Sequence, residues 1–156
     1  MNIMRIGLDL AKNVFEVFGV NHQEKVVQRK TLKRKEVLTF FCQLEPCIVG
    51  MESCGGAHYW ARELKKLGHE VRMMAPQFVA PYRKGSKNDR NDAEAICEAA
   101  GRPNMRFVPV KTEDQQSVLT VHRARSLLVG ERTALVNQIR GFLTEYGIVL
   151  PQGRSQ

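Results

Sequence analysis

Asp9, Glu52, Asp89 and Asp92 are acids in places where packing alone would not ask for one. Asp9 lies in an apolar alternation, Glu52 follows an unbroken apolar run, and Asp89 and Asp92 stand three apart beside Lys87 and Arg90. An unpaired carboxylate in an interior strand is costly, and coordinating a cation is one way to offset that cost. A salt bridge from Asp9 to Arg5 or Lys12 is the other. Asp89 and Asp92 share one face of a helical turn, with Cβ atoms ~5–6 Å apart. Ordinary capping at a helix start explains this pair about as well as metal binding does. Taken together, the four acids suit Mg²⁺ or Mn²⁺, which take hard oxygen ligands and also bind phosphate oxygens. A pair of such ions ~3.5–4 Å apart can stabilise both the attacking and leaving oxygens of a phosphoryl displacement. The candidate chemistry is therefore cutting and joining nucleic acid.

The charge balance agrees with a polyanionic partner. Net charge is +8, and such a field concentrates phosphates in a salt-sensitive way. One basic cluster holds Lys25, Arg29, Lys30, Lys33, Arg34 and Lys35; a solvated face explains it equally well. A second, Arg83, Lys84, Lys87 and Arg90, surrounds the acidic pair and supplies the best phosphate contacts, with Lys12 beside Asp9 as another. Cys42, Cys47, Cys54 and Cys97 lack paired metal-ligand spacing and read as small buried hydrophobes in a reducing, cytoplasmic setting. No run approaches the ~20 apolar residues of a membrane helix, and the amino terminus enters a strand pattern without a signal peptide.

The elements that must position the acids follow from periodicity. Residues 3–10 and 14–20 alternate as strands joined by the short turn Ala11-Lys12-Asn13, and Lys25 to Lys30 makes a third, giving an antiparallel meander. An amphipathic helix is expected over 33–43. Cys47 to Met51 is apolar throughout, as in a parallel strand covered on both faces, which puts Glu52 at the carboxyl end where open α/β sheets place ligands. A helix striped by Trp60, Ala61, Leu64 and Leu67 ends at Gly68; Trp60 reads as core, while Tyr59 could stack a base. His22, His69 and His122 read as turn or surface residues. Glu70 to Met74 is a further strand, 76–88 a basic loop, Ala93 to Ala100 a helix body and Arg106 to Pro109 a short edge element.

From Glu113 to Tyr146 no proline intervenes, and Val121, Leu128, Leu135 and Phe142 recur every seven residues. This predicts a long helix, or a helical hairpin broken near Gly130 or Gly141, with a coiled-coil seam that packs on its own domain or pairs subunits. The expected class is α/β, a ribonuclease H-like (RuvC-like) mixed sheet with flanking helices plus this carboxyl-terminal helical segment. The expected division is 1–110 for the carboxylate domain, 111–150 for the helical segment and 151–156 for a linker.

Three blocks carry a family resemblance: Gly7-Leu8-Asp9-Leu10-Ala11-Lys12, Met51-Glu52-Ser53-Cys54-Gly55-Gly56 and Lys87-Asn88-Asp89-Arg90-Asn91-Asp92-Ala93. The chain resembles the DEDD transposases of insertion-sequence family 110/1111, relatives of the Piv-type DNA invertases. The resemblance implies that Asp9, Glu52, Asp89 and Asp92 form a catalytic, metal-binding tetrad in a RuvC-like domain. It further implies DNA as substrate and a structured guide RNA as partner. A second domain with a serine nucleophile is also implied, and no serine here, Ser155 included, matches such a motif.

Two other readings compete. A non-catalytic nucleic-acid-binding and oligomerisation module would use the acids as caps and ion pairs. An actin-like kinase lobe also opens on Ile-Gly-x-Asp, but Lys12-Asn13 stands where a Gly-Thr phosphate turn would be expected.

Overall fold

A computed structural model describes residues 2–85, 89–151 and 153, with the side chain of Asp89 excepted. Lys87 therefore lies outside the described residues. The chain divides into two compact units, Met1–Lys111 and Thr112–Gln156.

The first unit is a mixed six-stranded sheet. Strands β1 (Arg5–Leu10), β2 (Val14–Val20) and β3 (Val26–Lys33) form the antiparallel meander read from the alternation. After a 3₁₀ turn at Arg34–Glu36 come helix α1 (Val37–Cys42), strand β4 (Ile48–Glu52), helix α2 (Ala57–Lys66) and strand β5 (Glu70–Met74). A short helix α3 (Pro76–Val79), a 3₁₀ turn (Ala80–Tyr82), helix α4 (Asp89–Ala100) and the two-residue strand β6 (Phe107–Val108) complete it. The sheet order is β3-β2-β1-β4-β5-β6, with β4 parallel to β1 and β5 parallel to β4. This is the ribonuclease H-like arrangement: a meander, then parallel strands added by helical crossovers on the far side of β1.

Local sequence accounts for the turns. Gly56 and Gly68, at φ +86° and +91°, take left-handed positions before and after α2, where a side chain would be strained. Three expectations about element boundaries differ from the structure. The third strand runs on to Lys33, because β2 offers partners as far back as Val14. The helix expected over 33–43 opens as a 3₁₀ turn, in which the Lys33 amide donates to the Glu36 carboxylate at 2.8 Å. The segment after β5 is not a plain loop: Pro76 starts α3, where its fixed φ suits a first helical position and its missing N–H costs nothing.

The sheet has a core on each face. On one, Ile6, Leu8, Phe15, Val17, Val49 and Met51 meet Val37 and Phe41 of α1 and Trp60, Ala61 and Leu64 of α2. On the other, α4 lies across the strands through Ala93, Ala95, Ile96, Cys97, Ala99 and Ala100. His69 is buried rather than superficial. Its ring meets the Phe41 carbonyl at 3.1 Å and accepts from the Cys47 amide at 3.2 Å, tying α1 to β4. Cys47 and Cys97 are buried, but Cys42 and Cys54 are exposed, so the buried reading holds for only two of the four cysteines.

The second unit holds one uninterrupted helix, α5 (Glu113–Glu145). A reciprocal capping box between Thr112 and Gln115 opens it, and Glu113 and Asp114 complement the dipole of its first turn. Gly147, at φ +76°, follows its end. The helical alternative, rather than the hairpin, is the one adopted: Gly130 and Gly141 cost about 1 kcal/mol each, too little to break a helix of 33 residues. Val121, Leu128, Leu135 and Phe142 are exposed along it.

Candidate metal centre

Strand register brings the first two acids together. Gly7 pairs with Gly50 and Leu8 with Met51 in the parallel β1–β4 ladder. One residue further along come Asp9 and Glu52, on the same face as the two glycines because side chains alternate along a strand. Both acids are half-buried. Their proximity is legible at Cys54: burial pushes this thiol up, and the negative charges of Glu52 and then Asp9 add to the effect.

The glycines explain how α4 reaches them. A Cβ on Gly7 would collide with the carbonyl of Ala93 and stand 2.5 Å from the Cys97 amide nitrogen; one on Gly50 would stand 2.5 Å from the Ala100 Cβ. The helix backbone therefore rests directly on β1 and β4. Ala93 and Cys97 cover Gly7, while Gly101 packs against the Arg5 guanidinium, so α4 runs antiparallel to β1. Its first turn, with Asp89 and Asp92, consequently lies toward the carboxyl ends of β1 and β4. Asp92 is buried, and its carboxylate is held by the Arg83 guanidinium. The side chain of Asp89 lies outside the described residues.

Among the described residues, no group of three or more His, Cys, Asp or Glu side chains is gathered closely enough to hold a metal ion. Asp9 and Glu52 adjoin; Asp92 stands at the same end of the same face but is turned to Arg83. Arg5, one of the two cations that could pair with Asp9, is paired with Glu24.

The basic candidates divide. Arg83 serves Asp92, and Lys84 lies 3.5 Å from Glu94 on α4. Lys12 is exposed in the hairpin turn, where its carbonyl accepts from Arg34 at 3.3 Å. Arg90 is exposed and, with Glu16, Arg29, Lys30 and Thr31, lines a recess of about 240 Å³.

One acid escaped the sequence reading. Glu16 pairs with Asp9 across the hairpin, so Glu16, Asp9 and Glu52 form a row over β2, β1 and β4 on one face. The Thr31 hydroxyl donates to Glu16 at 2.7 Å. A three-residue turn at 11–13 would set Asp9 opposite Phe15; the observed register leaves four residues, 11–14, between the pair Leu10 and Phe15, and so sets Asp9 opposite Glu16.

Relatives are found along the whole chain. It is 63% identical over 149 residues to a Pseudomonas aeruginosa protein named "Probable family 20 transposase", covering 96% of this chain and 44% of that one. It is 47% identical to the transposase for insertion sequence element IS1328 of Yersinia enterocolitica (97% and 46% covered). To the transposase for IS1111A of Coxiella burnetii it is 44% identical (97% and 42% covered). The chain thus spans less than half the length of these relatives. Among solved structures, T. thermophilus RuvC in complex with Holliday junction substrate aligns at a TM-score of 0.45 and 13% identity, over 62% of this chain and 90% of that one. Residues 6–148 match the family DEDD_Tnp_IS110, described as transposase. The chain belongs to the IS110 family of DEDD transposases.

Proposed function

We propose that this chain is the carboxylate-bearing part of a DNA transposase, working by metal-dependent strand cleavage and joining. Asp9, Glu52, Asp89 and Asp92 would hold Mg²⁺ or Mn²⁺. The observation that carries the reading is the antiparallel course of α4 over Gly7 and Gly50, which sends its acidic first turn toward Asp9 and Glu52.

The donor chemistry fits such an ion. Asp9 and Glu52 offer hard carboxylate oxygens, and Asp92 already engages a cation in the form of the Arg83 guanidinium. When bound, a divalent ion supplies Lewis-acid stabilisation of charge on the oxygens of a phosphodiester. The protein's own part is placement. Two acids come from neighbouring strands and two from a helix whose backbone is seated on those strands, so their spacing changes little as substrate binds. The proposed partners are DNA and a structured guide RNA, with Lys12, Arg83, Lys84, Lys87 and Arg90 as phosphate contacts. The exposed seven-residue stripe of α5 is proposed to pair with a second subunit, and the setting is the cytoplasm. The nucleophile is assigned to the part of the relatives that this chain does not span.

The pairing of Asp92 with Arg83 favours a second reading, in which the acids serve only as ion pairs of a nucleic-acid-binding module. Calorimetric titration of the 156-residue chain with Mn²⁺ separates the two. Saturable binding that weakens roughly tenfold or more in Asp9→Asn and Glu52→Gln, both still folded by circular dichroism, supports the metal site. Absent binding, or binding indifferent to both substitutions, leaves the module. In the full-length transposase, the same substitutions are expected to abolish transposition.

A further inference from the structure

Asp92 is the one buried carboxylate among the described residues. It is one of three buried polar residues in the described part of the chain, with Arg5 and His69. Its carboxylate meets the Arg83 Nε, and the side chains are 10% and 23% exposed, so the pair is shielded from solvent screening. Arg83 is itself set by backbone: its amide donates to the Ala80 carbonyl at 3.2 Å, ending the 3₁₀ turn in an extended conformation. Next in sequence, Lys84 lies 3.5 Å from Glu94, two residues beyond Asp92 on α4. Two successive basic residues thus staple the segment before α4 to two acids of its first turns. Glu94 also accepts from Arg29 of β3 at 3.0 Å, so its charge is shared between two cations. Among the described residues, Arg83 is the charge partner of Asp92.

A guanidinium bonded to a shielded carboxylate does for that oxygen what a bound cation would do. The two compete for one lone-pair direction, and a carboxylate that turns to one partner must leave the other. We propose that Arg83 is a built-in competitor for the metal: it holds Asp92 as an ion pair while the site lacks a divalent ion and must release it before Asp92 can serve as a ligand. Arg83 is thereby a positioning residue, not a ligand. Its charge keeps an otherwise costly buried acid satisfied in the metal-free protein, and its departure is linked to metal entry. The inference rests on the proposed metal site.

The test measures Mn²⁺ affinity of the 156-residue chain and of Arg83→Gln and Arg83→Lys by calorimetry, with thermal unfolding in chelator and in Mn²⁺. Arg83→Gln is expected to bind Mn²⁺ ~10-fold more tightly, the lower end for loss of a charge-assisted hydrogen bond. It should also melt lower than the parent in chelator and recover more on adding metal. Arg83→Lys, which keeps the charge and loses the fork, should fall between the two. Equal affinity in parent and Arg83→Gln, or weaker binding in Arg83→Gln, overturns the competition while leaving the metal site standing. Should Arg83→Gln fail to fold, unchanged affinity in Arg83→Lys overturns it in the same way. If no protein binds Mn²⁺, both the metal reading and the competition fall.

Discussion

On one face of the sheet the contacts are between large side chains; on the other they are between backbones. Phe15 stacks edge-on against Trp60 at 5.0 Å between ring centroids, and Leu8, Met51, Phe41 and Leu64 fill the space around them. Across the sheet, Gly7 and Gly50 lie under a helix lined by alanines, with Phe18, Met74 and Ile96 among the large buried residues of that face. The large-residue face buries more apolar area per residue and contributes more to stability. The small-residue face gives up that burial and gains close registry: a helix resting on glycines has little room to slide, so its first turn is held toward the strand ends.

Deleting a large side chain should be the most damaging change, and it should not touch the site. Trp60→Ala is expected to cost about 3–5 kcal/mol, read by urea denaturation, with Mn²⁺ affinity of the folded protein unchanged. A metal affinity that fell with it would mean the two faces are not independent. Gly7→Ala works the other way. Its Cβ meets backbone of Ala93 and Cys97 that cannot yield without lifting α4, so a loss of about 3 kcal/mol is expected, accompanied by weakened Mn²⁺ binding. Near-normal stability and binding would show that α4 is not seated on the strands.

Smaller changes probe the row of acids. Thr31→Val removes the hydroxyl that donates to Glu16 while keeping the β-branched shape; because the pair is exposed, about 0.5 kcal/mol is expected from thermal unfolding. The mildest test is chemical. Cys54 is exposed and its thiol is pushed up by burial first and by Glu52 and Asp9 after it. A raised thiol pKa lowers the thiolate fraction at a given pH, so alkylation of Cys54 by iodoacetamide should be slower than in the unfolded chain. Asp9→Asn should bring the pKa part of the way down and speed the reaction, leaving the burial contribution in place. Peptide mass spectrometry at several pH values follows the rate. Cys47 and Cys97, pushed up to about 11 by burial, should remain unmodified while the protein is folded.

The strands of the meander and the parallel strand before Glu52 were legible because their apolar patterns differ in period: alternation for β1 and β2, a continuous run for β4. Trp60 and Leu64 announced their burial by helical spacing. The three-dimensional role of His69 was not legible, since an isolated histidine between Gly68 and Glu70 carries no periodic signal and is buried only because the Phe41 carbonyl and Cys47 amide offer its ring partners. Arg83 shows the same limit. Its neighbours in sequence are Tyr82 and Lys84, which suggest a phosphate contact, whereas its observed partner is Asp92, reached only once α4 folds back. Glu16 was missed because counting across the turn at 11–13 sets Phe15 opposite Asp9, one residue short of the observed register, and because its amphipathic strand gave an ordinary solvent-facing reason for an acid.

Sequence alone determined which residues carry hard oxygen donors, where most of the longer strands and helices lie, and that basic groups crowd the acids. Those properties are local: they depend on side-chain chemistry and on periods of two or 3.6 residues. Tertiary structure decided which end of α4 overlies which end of β1. Helix direction across a sheet follows from where glycines permit contact between backbones, and that contact joins Gly7 to Ala93 over a sequence separation no local pattern spans.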